Sequence, residues 1–585
     1  MCGIAGMMSK SAVPDAARVE AMSAALVHRG PDGTGSYVRD NVALAHRRLA
    51  IIDLETGDQP ITESGGPTIV ANAEIYNYVE LRAALNGAPF VTASDCEPPL
   101  HYYHRDDLDF AQNLRGMYAI AIHDPIQRRL LLARDPFGIK PLYYVQDEDG
   151  VAFASEPQAL LSAGLANRSV ADRPRNELLQ LQFTTGSETI FPGVSRVLPG
   201  ETLTISDGRI VDRRRIEAVP PDGPADWSEE EALHRLDTAL RDSVEIHQRS
   251  DVPYGMFLSG GIDSSALLVL MAELNEQPVR AYTAGFEGFE QDEREHAKTV
   301  AAKVGADHVE IEVGESDFWD LLPKIAAAVD DPTADYAIVP TYKLAREAAK
   351  DLKVVLTGEG GDEMFAGYGR YRSLLRPWWR GGRVMRPRGI LDGRKVLREN
   401  ITGWRDGIVQ AEATATREGR TRLQVAQLVD GADWLPNDLL IKLDRCLMAH
   451  GMEGRTPFLD RVVADIAFRL SDGLKVRGGL GKYLLRKWLA ERMPEANPFS
   501  RKRGFTVPVG QWIENRARAL GELVARQPAI DEICQRQSVE ALFRERGKRA
   551  SLAAWILLFY ALWHRSNIAG AVPAGDVFET LSAPL

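Results

Sequence analysis

The sequence predicts a two-domain protein, in which an antiparallel β-rich domain precedes an α/β domain that has a parallel sheet and a helical C-terminal part. Its 585 residues are too many for a single hydrophobic core, which predicts two or three domains. The residue pattern also changes near residue 215, and strand-like and helix-like runs alternate beyond that point. Hydrophobic residues make up 45% of the chain and charged residues 26%, as in an ordinary globular protein.

Up to residue 215, short apolar runs are separated by Gly, Pro and Asp. They are VALAHRRLAIID, GPTIVANAEIYN, MYAIAIHD, RLLLARD, PLYYVQ, GVAFASE and ETLTI. This spacing is typical of paired antiparallel sheets, so we predict a first domain over 2–215. The following stretch, EAVPPDGPADWSEEE, is rich in Pro, Gly and acidic residues, which predicts a linker over 216–230 and then the start of a helix.

The second domain is predicted over 231–575. Its apolar strands YGMFLS, RAYTAGF, HVEIEV and KVVLTG alternate with helical stretches such as SSALLVLMAEL and EREHAKTVAAKVG. This alternation is typical of βαβ units on a parallel sheet. Beyond about Tyr371, helical patterns dominate to the end of the chain.

Charge and cysteine content limit the classes of partner. A formal charge of -12 and a pI near 5.6 argue against a broad nucleic-acid-binding face. The cysteines Cys2, Cys96, Cys446 and Cys534 lack the spacing of a disulfide framework or a metal site, which favours a reducing compartment. The sequence contains no apolar run of membrane-spanning length and no secretory signal pattern. We therefore expect a cytoplasmic protein with no membrane partner.

The opening stretch MCGIAG allows two interpretations of Cys2. In the first, Cys2 is a small, mostly buried residue that opens a strand. In the second, Met1 is removed and Cys2 becomes the N-terminal residue, with a free amine that accepts a proton from its own thiol. The motif alone favours the first interpretation.

The stretch YGMFLSGGIDSSALLVL predicts a strand, a Ser/Gly turn and a helix, which together direct backbone N–H groups at one spot and suit a phosphate. An ordinary tight turn is the alternative. A second strand and turn, KVVLTGEGGDEMF, adds Glu359, Asp362 and Glu363. Because parallel strands bring their carboxyl ends to one crevice, we expect these carboxylates beside the phosphate site, as in a magnesium nucleotide site.

Several motifs together point to a family. SGGIDSS resembles the pyrophosphate loop of the N-type ATP pyrophosphatases. With MCGIAG, HRGPDG, NAEIYN, GMYAIAIHD, RDPFGIKPLYY and GEGGDEMFAGY, nearly the whole chain resembles the glutamine-hydrolysing asparagine synthetases. The resemblance implies an αββα N-terminal-nucleophile hydrolase sandwich followed by an ATP pyrophosphatase domain. It also implies that ammonia from glutamine passes through an internal channel to a MgATP-activated β-aspartyl-adenylate, giving asparagine, AMP, pyrophosphate and glutamate.

In the first domain, the resemblance makes Cys2 the nucleophile and implies loss of Met1. The side-chain amide of Asn72 and the backbone N–H of Ala73 would form the oxyanion hole. Arg48 would hold the α-carboxylate of glutamine, and Glu74 and Asp95 its α-ammonium group. Leu49, Ala50, Ile51 and Ile52 complete the implied glutamine site.

Two departures from the family pattern concern this site. Ala73 replaces the usual glycine of NGE, which would add strain if the position required positive φ. Pro98 and Pro99 follow Asp95, where the family continues into an apolar helical turn. Because proline is tolerated in a first helical turn, we expect a helix to begin there.

In the second domain, the resemblance assigns Glu359 as the group that takes a proton from the attacking ammonia and Lys482 as the cation that neutralises the phosphates. Asp263 and Asp362 would hold magnesium. Asp444, Glu453 and Arg455 are expected to organise the site. The residues implied in ATP binding are Leu258, Ser259, Gly260, Gly261, Asp263, Ser264, Ala284, Thr357 and Gly358.

The sequence leaves other functions open. A related amidotransferase would act on a carboxylate other than aspartate, such as a sugar acid or a natural-product precursor. A non-catalytic metabolite sensor would keep the fold, although intact Cys2, Arg48, Asp263, Asp362 and Lys482 argue against it. A homodimer is expected from the family alone.

Overall fold

The computed structural model describes residues 2–286, 294–376, 379, 384–500 and 507–585. Its strands are, in chain order, β1 (Gly3–Ser9), β2 (Gly33–Arg39), β3 (Val42–Arg48), β4 (Ile61–Thr62), β5 (Thr68–Ile75), β6 (Gly116–Asp124), β7 (Arg129–Arg134), β8 (Tyr143–Gln146), β9 (Gly150–Ala154), β10 (Ser195–Arg196), β11 (Glu201–Ser206), β12 (Arg209–Arg215), β13 (Tyr254–Phe257), β14 (Arg280–Phe286), β15 (Asp307–Val313), β16 (Val354–Leu356), β17 (Glu453–Arg455), β18 (Val476–Arg477) and β19 (Leu480–Gly481).

The α-helices are α1 (Ala16–Ala25), α2 (Tyr78–Ala84), α3 (Pro98–Asp106), α4 (Pro157–Ser162), α5 (Asp172–Leu181), α6 (Glu229–His247), α7 (Ile262–Leu274), α8 (Arg294–Val304), α9 (Glu315–Ala328), α10 (Ile338–Ala348), α11 (Gly361–Met364), α12 (Gly369–Leu374), α13 (Asp406–Ala415), α14 (Arg422–Val429), α15 (Ile441–Met448), α16 (Arg461–Arg469), α17 (Asp472–Lys475), α18 (Tyr483–Arg492), α19 (Val509–Asn515), α20 (Ala517–Ala525), α21 (Pro528–Ile533), α22 (Arg536–Arg544), α23 (Lys548–Asn567) and α24 (Val577–Ser582). Asp430–Leu440 joins α14 to α15 as a π-helical stretch.

The first domain is a four-layer αββα sandwich, as the resemblance implies. One six-stranded sheet has the order β10-β8-β9-β1-β3-β2, and the other has the order β12-β11-β7-β6-β5-β4. Apolar residues such as Ile4 and Leu44 of the first sheet pack against Val70 and Leu132 of the second to form the core between them. Helices α1, α4 and α5 cover the outer face of the first sheet, and α3 covers that of the second. Every paired antiparallel run predicted from the sequence is a strand.

This sandwich brings two parts of the predicted glutamine site together. β1 lies between β3 and β9 in the middle of its sheet, so Cys2, which immediately precedes β1, enters the interior of the domain. Strand β5 carries Asn72, Ala73 and Glu74 in the facing sheet. Pairing of buried strands therefore sets the position of Cys2 relative to the predicted oxyanion hole.

The second domain contains a five-stranded parallel sheet of order β15-β14-β13-β16-β17. Four of its strands match the predicted apolar runs, and the fifth, Glu453–Arg455, was not predicted as a strand. β13 and β16 are neighbours, so the loops at their carboxyl ends lie side by side. Both predicted nucleotide turns begin at these two ends, which confirms the parallel arrangement expected for them.

Between the first and second domains, residues 216–228 form neither helix nor strand. The Ser228 side chain then caps α6 by accepting a hydrogen bond from the Glu231 N–H, and Glu229, Glu230 and Glu231 occupy the first helical turn. Acidic residues at this end complement the helix dipole, which explains the helix start that the sequence predicts. Among the described residues, none of the helices combines the length and apolar character needed to cross a membrane.

Candidate active site

Cys2 is buried at the centre of the first domain, with 7% of its surface exposed. Its backbone N–H donates to Asn72 Oδ1 at 3.0 Å, its Sγ lies 4.0 Å from the Leu49 carbonyl oxygen, and its own carbonyl accepts from Arg29 Nε at 3.2 Å. Burial raises the pKa of the Cys2 thiol. Since the thiol form predominates there, a nucleophilic Cys2 requires a base close to its sulfur.

Asn72 has the geometry of an oxyanion-hole residue. Its Oδ1 is taken by the Cys2 N–H, and its Nδ2 is buried without a hydrogen-bond partner among the described residues. An unpaired buried amide donor costs free energy, about 1–3 kcal/mol, unless a ligand accepts from it. Ala73 lies in β5 outside the positive-φ region, so the strain that a replaced glycine would bring is absent.

Arg48 is the last residue of β3, and the loop that follows carries Leu49, Ala50, Ile51 and Ile52 of the predicted glutamine site. Arg48 Nη1 lies 2.9 Å from Asp58 Oδ1, and its Nη2 donates to the Asp53 carbonyl. Leu49, Ile51 and Ile52 are buried in a small cluster with Val354 and Met448 of the second domain. This loop therefore packs on the second domain as well as on its own domain.

Glu74 and Asp95 lie close enough for their charges to interact. The Glu74 carboxylate forms an ion pair with Arg455 of the second domain, with 2.9 Å between Oε2 and Nη2. Asp95 Oδ2 accepts the backbone N–H of Ile75 at 2.8 Å, and burial raises the pKa of Asp95 to about 6. Helix α3 begins at Pro98, as predicted, with the two prolines in its first turn.

The two nucleotide turns pack directly against each other. The Ser264 hydroxyl donates to the Ser259 carbonyl at 2.7 Å, and the Gly261 N–H donates to Ser259 Oγ at 3.2 Å. Gly358 and Gly361 approach Asp263 so closely that a Cβ on either would lie 3.1 Å from Asp263 Cβ or 2.5 Å from its Oδ1, respectively. These glycines are therefore required by the close approach of the two turns.

The remaining predicted nucleotide residues lie on or directly after β13, β14 and β16. Leu258 follows β13 and donates its N–H to the Tyr282 carbonyl at 2.8 Å, whereas Ala284 is buried in the neighbouring β14. Thr357 follows β16, and its N–H donates to the Arg455 carbonyl at 2.8 Å. Gly260 lies within the first turn.

Lys482 joins the carboxylates of the two turns. Its Nζ lies 2.6 Å from Asp362 Oδ1 and also contacts Asp263 Oδ2. Burial opposes the charge of Lys482, but the two aspartates outweigh it, and the net result is a raised pKa. Lys482 also has positive φ and precedes α18, so its backbone is held in an uncommon conformation beside the site.

Glu359 lies in the loop after β16, and its carboxylate is close to Lys442. Its Oε1 lies 3.5 Å from Lys442 Nζ, which also lies 2.9 Å from Asp335 Oδ2. Burial raises the pKa of Glu359, which suits a group that takes up a proton.

Sequence reasoning missed Arg29, Lys442 and the reach of Arg455 into the first domain. Arg29 lies in HRGPDG, a motif recognised in the sequence without a role assigned to the arginine. It is fully buried and donates to Cys2, Glu156 and Asp444. Lys442 lies within the apolar-looking stretch NDLLIKLDRCLM, where no local signal marks it.

The fold defines the class of the protein: an N-terminal-nucleophile αββα sandwich followed by a parallel-sheet nucleotide-binding domain. Residues 1–215 match the family model of the glutamine amidotransferase domain, and residues 235–565 match that of asparagine synthase. The chain is 34% identical to asparagine synthetase 1 (glutamine-hydrolysing) of Bacillus subtilis, over 97% of each chain. It is 28% identical to asparagine synthetase B of Escherichia coli, over 100% of this chain and 95% of that one. The chain belongs to the glutamine-hydrolysing asparagine synthetase family.

The contact between the two nucleotide turns is testable by Gly361→Ala. The added Cβ would meet Asp263 Oδ1 at 2.5 Å and push that carboxylate away from Lys482. We expect ATP-dependent pyrophosphate release to fall by at least about tenfold, because small misplacements of reacting groups cost up to about 10²-fold. Gly473→Ala is the matched control, since nothing lies within 4 Å of its Cβ. Equal activities of the two variants would contradict the packing role of Gly361.

Proposed function

We propose that the chain synthesises asparagine from aspartate, with glutamine as the nitrogen donor and ATP as the activating substrate. Family membership supports this proposal, and the observation that carries it is the pairing of Cys2 with Asn72 in the first domain. We assign glutamine hydrolysis to residues 2–215 and amide synthesis to residues 231–575.

In the first half-reaction, Cys2 Sγ attacks the carboxamide carbon of glutamine after removal of Met1. The free α-amine of Cys2 takes the thiol proton and passes it to the departing ammonia. Asn72 Nδ2 and the Ala73 N–H stabilise the oxyanion that forms on the carbonyl oxygen. Water then hydrolyses the thioester to glutamate and regenerates the thiol. Arg48, Glu74 and Asp95 orient the substrate through its α-carboxylate and α-ammonium groups.

In the second half-reaction, a side-chain oxygen of aspartate attacks the α-phosphorus of ATP, and pyrophosphate departs. Ammonia then attacks the acyl carbon, and the bond to AMP breaks. Lys482 holds positive charge against the phosphates during adenylate formation. Glu359 takes the proton that the attacking ammonia must lose, which its raised pKa favours.

Asp263 and Asp362 are the residues that would hold magnesium. Their carboxylate oxygens converge on one point, since both contact Lys482 Nζ. Two hard carboxylates next to a phosphate loop fit the usual magnesium site, in which substrate phosphates and water complete the ligand set. Magnesium bound there would neutralise charge on the departing pyrophosphate.

A pyrophosphate-release assay across candidate carboxylates, with glutamine or ammonium as nitrogen source, tests the proposal as a whole. Turnover of aspartate to asparagine, AMP and pyrophosphate is expected. If aspartate is inactive and another acid is turned over, the acceptor assignment is wrong.

The free cysteines support a reducing, cytoplasmic location; they are Cys2, Cys96, Cys446 and Cys534. The family resemblance supports a homodimer, which sedimentation velocity would test.

Asp263→Asn and Asp362→Asn should each impair pyrophosphate release while leaving the fold intact. Each substitution removes an anionic magnesium ligand but keeps the size of the side chain. We expect the defect to be largest at limiting magnesium and to lessen as magnesium is raised. Near-normal release by both variants at limiting magnesium would exclude this site.

Lys482→Met keeps much of the apolar stem and deletes the charge. We expect adenylate formation to fall by about 10²-fold or more, with ATP binding changed far less, because the charge acts on the phosphates in the transition state. Rapid-quench measurement of adenylate and calorimetric measurement of ATP binding separate the two effects. A wild-type rate of adenylate formation would remove Lys482 from the mechanism.

Cys2→Ala, with Met1 still removed, should abolish glutamine hydrolysis because alanine offers no nucleophile. Amidation with added ammonium should survive and should increase with pH, since only neutral ammonia carries the attacking lone pair. Mass spectrometry of the wild-type protein should confirm the loss of Met1. If Cys2 were only a packing residue, both activities would fall together or stay unchanged. Glutaminase activity retained by a Cys2→Ala preparation free of other glutaminases refutes the proposed nucleophile.

A further inference from the structure

Arg455 belongs to the second domain, but its side chain reaches the glutamine site of the first. It lies on β17, is fully buried, and forms the 2.9 Å ion pair with Glu74 Oε2. Glu74 is the residue expected to bind the α-ammonium group of glutamine. One face of the predicted substrate pocket is therefore supplied by the synthetase domain.

The other donors of Arg455 are already engaged, which fixes the direction of its guanidinium group. Nε lies 2.6 Å from Glu453 Oε1. Nη1 donates to the carbonyls of His247 and Arg249, at 2.9 and 2.6 Å. Because the guanidinium is planar and rigid, these contacts place Nη2 beside Glu74, where its 2.9 Å contact with Oε2 is an ion pair without hydrogen-bond geometry. The ion pair engages Oε2 of Glu74, and the carboxylate has a second oxygen with which to accept from an ammonium group.

The charges around Glu74 make this contact important for substrate binding. Burial raises the pKa of Glu74 well above its usual range, repulsion from Glu453 and Asp95 raises it further, and Arg455 lowers it. The Cys2 thiol, which is neutral while protonated, Cys96 and Tyr76 also lie close enough to interact with the Glu74 charge. The positive charge of the N-terminal amine lowers the pKa of Glu74 as well. Only the ionised carboxylate attracts the ammonium group of glutamine, so loss of the Arg455 charge would favour the non-binding form.

The loop that lines the pocket is tied to the same domain. The Asp53 N–H donates to Asp251 Oδ2 at 2.8 Å, and the Asp251 N–H donates to the Ile51 carbonyl at 3.1 Å. Asp32 Oδ2 accepts from the Ala50 N–H at 2.9 Å and from Lys353 Nζ at 2.8 Å. The second domain thus contacts the pocket loop as well as the ammonium-binding carboxylate.

We propose that Arg455 is a positioning residue of the glutamine site, which pairs with the Glu74 carboxylate and orients it toward the α-ammonium group of the substrate. This inference rests on the proposed function, because it assumes that the pocket binds glutamine. It adds that the glutamine site is complete only when the synthetase domain is docked against it. The Arg455 carbonyl also accepts from the Thr357 N–H, so one residue contacts the glutamine site and the nucleotide turn.

The test compares Arg455→Gln, Arg455→Lys and the wild type in the full-length chain. For Arg455→Gln we expect the KM for glutamine to rise by about tenfold or more and kcat of glutamine hydrolysis to change little, because orientation and charge act on binding. The acid limb of kcat/KM for glutamine should move to higher pH, since the pKa of Glu74 increases without the arginine. Amidation at saturating ammonium should be retained. Arg455→Lys keeps the charge, so the acid limb of its kcat/KM profile should stay near that of the wild type. Its KM for glutamine should rise less than that of Arg455→Gln.

Arg115→Gln is the matched control. Arg115 also bridges the domains, at 3.0 Å from Asp460 and 2.7 Å from Asp242, but does not contact Glu74. Its removal should leave the KM for glutamine and the acid limb unchanged. If Arg455→Gln gives the wild-type KM and acid limb, or lowers both nitrogen-source activities together at an unchanged KM, the proposal is overturned. If Arg455→Gln does not fold, an unchanged KM in Arg455→Lys overturns it.

Calorimetric binding of glutamine to the full-length Cys2→Ala chain separates this inference from the proposed function. Glutamine binding that is lost or weakened by Arg455→Gln in this background supports the positioning role. If the Cys2→Ala chain binds glutamine with the same affinity with and without Arg455→Gln, the positioning role is overturned and the proposed function stays in place. Absence of any glutamine binding in the presence of Arg455 overturns the assignment of the pocket, and with it both proposals.

Discussion

Buried charge at the junction between the two domains constrains the whole structure. A buried ion that loses its partner costs several kcal/mol, whereas a paired one is tolerated. Arginines from both domains reach across the junction to carboxylates of the other, so the domains satisfy all these charges only in one relative position. The pairs are Arg29 with Asp444, Arg115 with Asp460, Arg196 with Asp331, and Arg455 with Glu74.

These contacts connect the junction to the chemistry of each domain. Arg29 donates to the carbonyl of Cys2 on one side and to Asp444 on the other, so the position of the proposed nucleophile depends on a helix of the second domain. Arg455 in turn contacts Glu74 through its side chain and Thr357 through its carbonyl. Two sites that exchange ammonia benefit from such rigid coupling, because the intermediate must reach the adenylate before it escapes to water.

Much of this architecture could be predicted because the elements that carry it follow simple periodicity. The seven apolar runs of the first domain and the strands β13, β14 and β16 of the second are largely buried, and their apolar composition agrees with that position. Strand β15 alternates polar and apolar residues and is largely exposed. Strand Glu453–Arg455 could not be predicted, because two of its three residues are charged and disfavour a strand by local propensity. Its partners lie far away in sequence. The same is true of Lys442, whose position beside Glu359 depends on tertiary packing alone.

The location of this unpredicted strand explains its composition. β17 is the edge strand of the parallel sheet, and an exposed, apolar edge is prone to pair with other chains. Here the edge is covered, because Glu453 and Arg455 are both fully buried, and buried charges require partners. Glu453 and Arg455 pair with each other, and Arg455 also pairs with Glu74. Coverage of the sheet edge, docking of the domains and placement of Glu74, the predicted substrate-binding carboxylate, therefore involve the same residues. This shared role explains why a strand this short can carry so much charge.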